Sequence, residues 1–314
     1  MKLKNAITDV RGIEVGHARD EEALTGCTVV LVRRGAVAGV DVRGGAPGTR
    51  ETDLLDPVNL VEKVHAVVLA GGSAFGLDSA SGVMRYLREK KIGFRVGPVR
   101  VPIVPAAILY DLGLGRADIW PDAGMGYRAA ASASSKRPEE GNVGAGTGAS
   151  IGKMRGMKYA MKSGIGTASI DIQGTIIGAL VAVNAIGDVV DPSSGIQVAG
   201  MRGGTTLEWM KKNQANHAVK SNTVIGVIGT NASLTKAQAT KVAQMAQDGL
   251  ARTIRPAHTL FDGDTIFTLA TGQQEADVSL VGAFAAEVMA EAILRAMKMA
   301  GPAGGLPGLF KEKR

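Results

Sequence analysis

Thr223 follows Asn222 directly and opens the apolar run Val224-Ile225-Gly226-Val227-Ile228. A threonine hydroxyl so placed can attack the preceding carbonyl, and water can then open the resulting ester, leaving Thr223 as a new N-terminus. Hydroxyl and α-amine would then sit on one residue. An α-amine titrates near a pH of about 8, so it can accept the hydroxyl proton near neutrality without help from a histidine. The plain alternative is a β-branched residue starting a strand. The dipeptide alone does not choose between them.

Asp262 and Asp264 flank Gly263 just before a second strand-like run, Thr265 to Leu269. Asp-Gly is a common turn. Two carboxylates this close also raise one another's proton affinity and can orient and polarise a nucleophile. The further oxygen ligands of a calcium loop are missing. Asn184 interrupts the apolar stretch Leu180 to Ala185; a buried amide there is a satisfied structural group or a donor aimed at a developing oxyanion. Lys153 closes the glycine-rich segment that starts at Gly144. That segment fails the phosphate-loop pattern, with Thr147 where the first glycine belongs and Met154 after the lysine, and no strand precedes it as a dinucleotide site requires. It reads as a tight loop presenting Lys153 to a cleft.

The strand-like Ala66 to Ala70 leads into Gly71-Gly72-Ser73-Ala74-Phe75-Gly76, which imitates a nucleophile elbow until Phe75 breaks the Gly-x-Ser-x-Gly pattern. Gly72 and Ser73 read either as a helix N-terminus with free amides for a substrate carboxylate or carbonyl, or as a structural turn. His258, close to Pro256, reads as structural.

These positions need a scaffold. Strand-like runs cover Cys27 to Val32, Val37 to Val42, Ala66 to Ala70, Ser169 to Ile172, Ile176 to Val183, Val224 to Ile228 and Thr265 to Leu269. Helical periodicity follows Gly76 to Lys91, begins again after Ser233 with Thr235 and Gln238 at capping-box spacing, and runs from about Ser279 to Met299. Strand pairs between helices predict an α/β sandwich with helices packed on sheets. Residues Asp191 to Ser221 are polar and glycine-rich without strong periodicity, and read as a long irregular segment: a surface flap, or a segment whose end must be free to be cut.

The chain has 314 residues, 45% hydrophobic and 21% charged, as suits a globular protein with a full core. Its net charge of +7 is spread along the sequence, and with aromatics at 4% there are few rings for bases to stack on, so no nucleic-acid partner is expected. The single cysteine, Cys27, gives no disulfide framework, and no Cys/His cluster has metal-ligand spacing. No signal peptide or membrane span is apparent. A cytoplasmic protein needing neither metal nor cofactor is the expectation.

Taken together, Val40 to Thr52, Gly71 to Gly76, Ile108-Leu109-Tyr110-Asp111, Gly141 to Gly148, Gly164 to Ala168, Val181 to Gly187, Asn222-Thr223 and Asp262 to Thr265 resemble, in order and over nearly the whole chain, the DmpA-type aminopeptidases and the related nylon-oligomer hydrolases. The resemblance implies a four-layer αββα sandwich of the DmpA and ornithine-acetyltransferase type. It implies one catalytic domain, 1–314, self-cleaved into 1–222 and 223–314 and assembled as a homotetramer. It also implies an activity on small peptides, amino-acid amides or amide oligomers. Thr223 matches the nucleophile and Asn222 the residue before the cut. Lys153 and Asn184 match residues around it, Asn184 as oxyanion donor; Tyr110 matches an active-site tyrosine, and Asp262 and Asp264 the acidic pair. Asn-Thr and Asp-Gly-Asp are similar to the nylon-oligomer branch, since the β-aminopeptidase branch carries Gly-Ser and Ser-x-Glu. An acyl transferase like ornithine acetyltransferase is the rival enzyme, although its junction carries Ala before Thr; a nonenzymatic nucleotide- or anion-binding protein is the other alternative.

Overall fold

The computed structural model describes residues 3–213 and 222–311. Strands β1 (Glu14–Asp20), β2 (Thr25–Val42) and β3 (Lys63–Ala70) are followed by helix α1 (Ser79–Glu89), β4 (Ala106–Ile108) and α2 (Ala123–Ser132). Then come β5 (Ile165–Ile172), β6 (Thr175–Asn184), α3 (Thr206–Lys212), β7 (Thr223–Ala232), α4 (Lys236–Thr253), β8 (Thr265–Gln274) and α5 (Val278–Lys298). One ladder runs β5-β6-β7-β8-β2-β3-β4, ends on the short strand Thr49–Arg50, and carries β1 against β2.

The ladder forms two layers because β2 bends. Its first half pairs with β3, its second half with β8, and the register with β3 shifts between Leu31 and Ala36. Side chains alternate along a strand, and here the alternation sorts them into three cores. Leu180 and Ala182 of β6, Ile225 and Val227 of β7, and Phe267 and Leu269 of β8 meet Val30, Val32, Val67 and Leu69 in a central core between the layers. The opposite faces of β6 and β7, with Val181, Val183, Val224 and Ile228, pack on α4 and α5. Cys27, Val29 and Leu31 of β2 and Ala66 and Val68 of β3 pack on α1 and α2. Helices, sheet, sheet, helices is the αββα order.

Close approach explains one glycine. A Cβ on Gly39 would lie 2.2 Å from the backbone nitrogen of Thr240, so α4 can seat on β2 only where the strand has no side chain.

The two runs Cys27 to Val32 and Val37 to Val42, read as separate strands, are one. The segment from Asp191, read as irregular, holds the short strand Gln197–Ala199 and α3, which opens with a capping box of Thr205 and Glu208. Its last residues, 214–221, and the end of the basic tail, 312–314, lie outside the described residues. No helix among those described is long and apolar enough to cross a membrane.

Candidate active site

Four strand ends converge at one rim of the central core. β6 ends at Asn184, β7 begins at Thr223, β8 begins at Thr265, and β2 ends at Val42; register pairs Asn184 with Thr223 and Thr265 with Val42. Thr223 is two residues from Ile225 and Asn184 two from Ala182, so both lie on the strand face that lines the central core. Thr223 is 4% exposed and Asn184 fully buried.

The bond before Thr223 is held from three sides. The Asn222 amide donates to the Phe261 carbonyl at 3.0 Å, and the Gly263 amide donates to the Asn222 carbonyl at 2.9 Å. The Thr223 hydroxyl lies against that same carbonyl oxygen. On the far side, the Val224 amide donates to Asp264 Oδ1 at 2.7 Å. Gly263 packs without clearance: a Cβ there would sit 2.8 Å from Thr223 Oγ1.

The acidic pair divides its work. Asp264 Oδ2 accepts from the His258 amide at 3.1 Å and lies 2.8 Å from its Nδ1, so Asp264 ties the start of β7 to the 258–264 turn. Asp262 Oδ2 accepts from the Thr259 amide at 2.8 Å and from its hydroxyl at 2.5 Å. Burial first, then the neighbouring Asp264 charge, pushes the Asp262 carboxyl up to about 6.

Lys153 is buried and donates to Asn184 Oδ1 at 2.8 Å and to the Asn184 carbonyl at 3.1 Å. Burial lowers its ammonium to about 7, against the pull of Asp262 and Asp111. Asn184 Oδ1 also accepts from the Ser150 amide at 3.1 Å, while its Nδ2 donates to the Tyr110 carbonyl at 3.0 Å. One amide hydrogen of Asn184 is thereby used. Tyr110 enters this network through its backbone; its side chain is half-exposed and borders a cleft of about 110 Å³ with Asp111, Gly148, Ser150 and Lys153.

Gly72 caps and Ser73 opens a short 3-10 helix, Ser73–Asp78, that leads into α1, but their amides are not open. The Gly72 amide donates to Asp111 Oδ1 at 2.7 Å and the Ser73 amide to the Leu109 carbonyl at 3.0 Å. Both residues have left-handed backbone, φ +78° and +54°, which those bonds hold in place. The amides that the sequence left free are occupied.

Sequence reasoning passed over four contributors. Asp111 anchors the Gly72 turn, with Thr25 Oγ1 donating to its other oxygen at 2.8 Å, and burial raises its carboxyl to about 6. Lys162 is buried under the glycine-rich loop and donates to the carbonyls of Gly146 and Ala149, each at 2.9 Å, and of Ser163 at 2.5 Å. His258, read only as structural, bonds Asp264. The fourth is the Gly263 backbone amide. The doubled Asp around Gly263 was the one available signal for it. Among the described residues, no group of three or more His, Cys, Asp or Glu is placed to hold a metal ion.

The fold is that of the N-terminal-nucleophile hydrolases. The L-aminopeptidase D-Ala-esterase/amidase of Ochrobactrum anthropi, described as a variant of that fold, superposes with a TM-score of 0.76 over 96% of this chain and 88% of its own at 22% identity. The chain belongs to peptidase family S58, whose model matches residues 5–309. It is an amide-bond hydrolase. An uncharacterized aminopeptidase of Mycobacterium leprae is 43% identical over 98% of this chain and 94% of its own length. A 6-aminohexanoate-oligomer endohydrolase of Kocuria sp. is 30% identical over 92% and 85%.

Proposed function

We propose that the chain cuts itself between Asn222 and Thr223, giving 1–222 and 223–314 as two pieces of one catalytic domain, and that Thr223 then serves as the nucleophile of a threonine amidase. One observation carries this reading: the Asn222 carbonyl accepts from the Gly263 amide while the Thr223 hydroxyl lies against it. Attack of Oγ1 on the Asn222 carbonyl carbon breaks the bond to the Thr223 nitrogen. The oxygen that gains charge already faces a donor. The nitrogen leaves as an amine, an ester joins Asn222 to Oγ1, and water releases the Asn222 carboxylate.

Before the cut there is no α-amine to take the hydroxyl proton. Lys153, with its proton affinity lowered to about 7, is the buried amine suited to that task. Afterwards the Thr223 α-amine takes it over. In turnover the substrate carbonyl replaces that of Asn222, and the second Asn184 amide hydrogen joins the Gly263 amide at the oxyanion. Asp262 and Asp264 fix the turn, and Tyr110 borders the cleft beside Lys153.

The substrates are small peptides, amino-acid amides or amide oligomers, which the aminopeptidase and oligomer-endohydrolase relatives support. The processed pair works in the cytoplasm as a homotetramer, which size-exclusion chromatography with light scattering would test. Intact-mass measurement tests the central claim. Wild-type protein should resolve into two fragments with Thr223 leading the smaller, Thr223→Ser should still divide, and Thr223→Ala should stay whole. A wild-type chain that remains single after long incubation overturns the reading. Acyl release to water rather than to added amines would separate hydrolysis from acyl transfer.

A further inference from the structure

We infer, building on the self-cleavage reading, that the place Asn222 fills is the acyl subsite of the mature enzyme, and that it selects a leucine-like apolar side chain over a polar one. Thr223 Oγ1 carries one acyl group at a time. Whatever acyl group it receives in turnover must therefore take the position that Asn222 holds in the uncut chain, which makes Asn222 a substrate supplied by the protein itself.

Among the described residues, Asn222 is held through its own backbone groups alone. Its N–H goes to the Phe261 carbonyl and its carbonyl oxygen takes the Gly263 amide, in a parallel bridge to Asp262. Any amino-acyl residue brings the same nitrogen and the same carbonyl, so both bonds can be remade by an incoming substrate. They define where its main chain lies.

The side chain tells a different story. Asn222 is 1% exposed, and among the described residues neither Oδ1 nor Nδ2 has a hydrogen-bond partner. Asn184, which faces Thr223 across the strand pair, has both of its amide atoms bonded. The site thus supplies partners to the amide it keeps and none to the amide it will release. A buried amide without partners has lost its hydration for nothing in return. Leucine has the same branching and the same number of side-chain heavy atoms with no polar atom to desolvate, so it avoids that loss. Polar side chains entering from a substrate would meet the penalty that Asn222 meets.

Two measurements decide the matter. On processed enzyme, the p-nitroanilides of L-leucine and L-asparagine compare side chains of the same branching and heavy-atom count; kcat/KM for leucine should exceed that for asparagine by about tenfold or more, the scale set by leaving a buried polar group unpaired. Equal values or the reverse order overturn the inference. In uncut Thr223→Ala protein, adding Asn222→Leu should raise Tm by about 2 °C or more; an unchanged or lower Tm overturns it. The second comparison needs no cleavage. A wild-type chain that never divides would sink the self-cleavage reading, while the Tm pair would still report whether the pocket is apolar.

Discussion

Lys153 Nζ reaches both ends of Asn184, 2.8 Å to the side-chain oxygen and 3.1 Å to the backbone carbonyl, and Asn184 is the cross-strand partner of Thr223. A buried amine with lowered proton affinity is thereby fixed to the residue that faces Thr223. Because the amine is held by two acceptors on one residue, its position depends on the β6–β7 register rather than on a mobile loop.

The first prediction is a pH profile. Lys153 must be neutral to accept a proton, and its neutral fraction grows as pH rises through about 7. Self-cleavage should therefore accelerate from acid to neutral pH with a midpoint near 7, followed by gel densitometry or mass spectrometry over time. Lys153→Arg, which keeps its charge at every accessible pH, should lower the rate by about a hundredfold and flatten the profile.

Gly263→Ala should leave a folded protein that hardly cleaves. Gly263 has no left-handed backbone requirement, but its new Cβ would stand 2.8 Å from Thr223 Oγ1 and 2.9 Å from the Ala46 carbonyl. Either the hydroxyl or the Gly263 amide must move off the Asn222 carbonyl. A rate loss of about a hundredfold or more is expected, the usual scale for losing one oxyanion donor, with an unaltered far-UV spectrum.

Asp264→Ala removes the acceptor for the amides of Val224 and His258 and for the His258 ring. Leaving such buried donors unpaired costs about 2–3 kcal/mol, measurable by urea unfolding of the Thr223→Ala background. Processing should slow in the otherwise wild-type chain, because β7 loses the bond that sets its first residues.

Lys162→Met should destabilise by about 2 kcal/mol near neutral pH, since three carbonyls of the glycine-rich loop and its neighbour lose their donor. The pH dependence follows from its lowered proton affinity, about 7 against an ordinary 10.5. Between those values the unfolded chain binds more protons than the native one, so this lysine's contribution makes stability rise with pH from about 7 to 10.5 and stay level below. Denaturant midpoints across that range should show a rising component in the parent that Lys162→Met lacks.

The layer plan was legible because period-two runs and amphipathic helices recur with little interference. What escaped was continuity. Arg33, Arg34 and Gly35 interrupt the apolar pattern of β2 and imitate a turn, yet the chain runs on into the other layer with Gly35 in a left-handed conformation, φ +74°. Helix α3 was missed although Thr205 and Glu208 stand at capping-box spacing, since seven residues are too few to display periodicity. At the site, Thr223, Asn184, Lys153 and the Asp262–Asp264 pair were visible by type, whereas Asp111, Lys162 and His258 also bond through side chains but stand in no pattern that singles them out. Tyr110 and Gly263 act through backbone groups, and Gly72 and Ser73 spend theirs on Asp111 and Leu109. A backbone group has no signature in sequence, so its role shows only when strands bring distant segments together.

Strand β7 lies between β6 and β8, bonded along both edges. A chain end is usually the loosest part of a protein, and an end created here would be the reverse. Severing one covalent bond would leave ladders on either side intact, so the new terminus would keep the positional definition of an interior residue. The two fragments should consequently melt as one cooperative unit, and the nick would be invisible to any probe of overall shape.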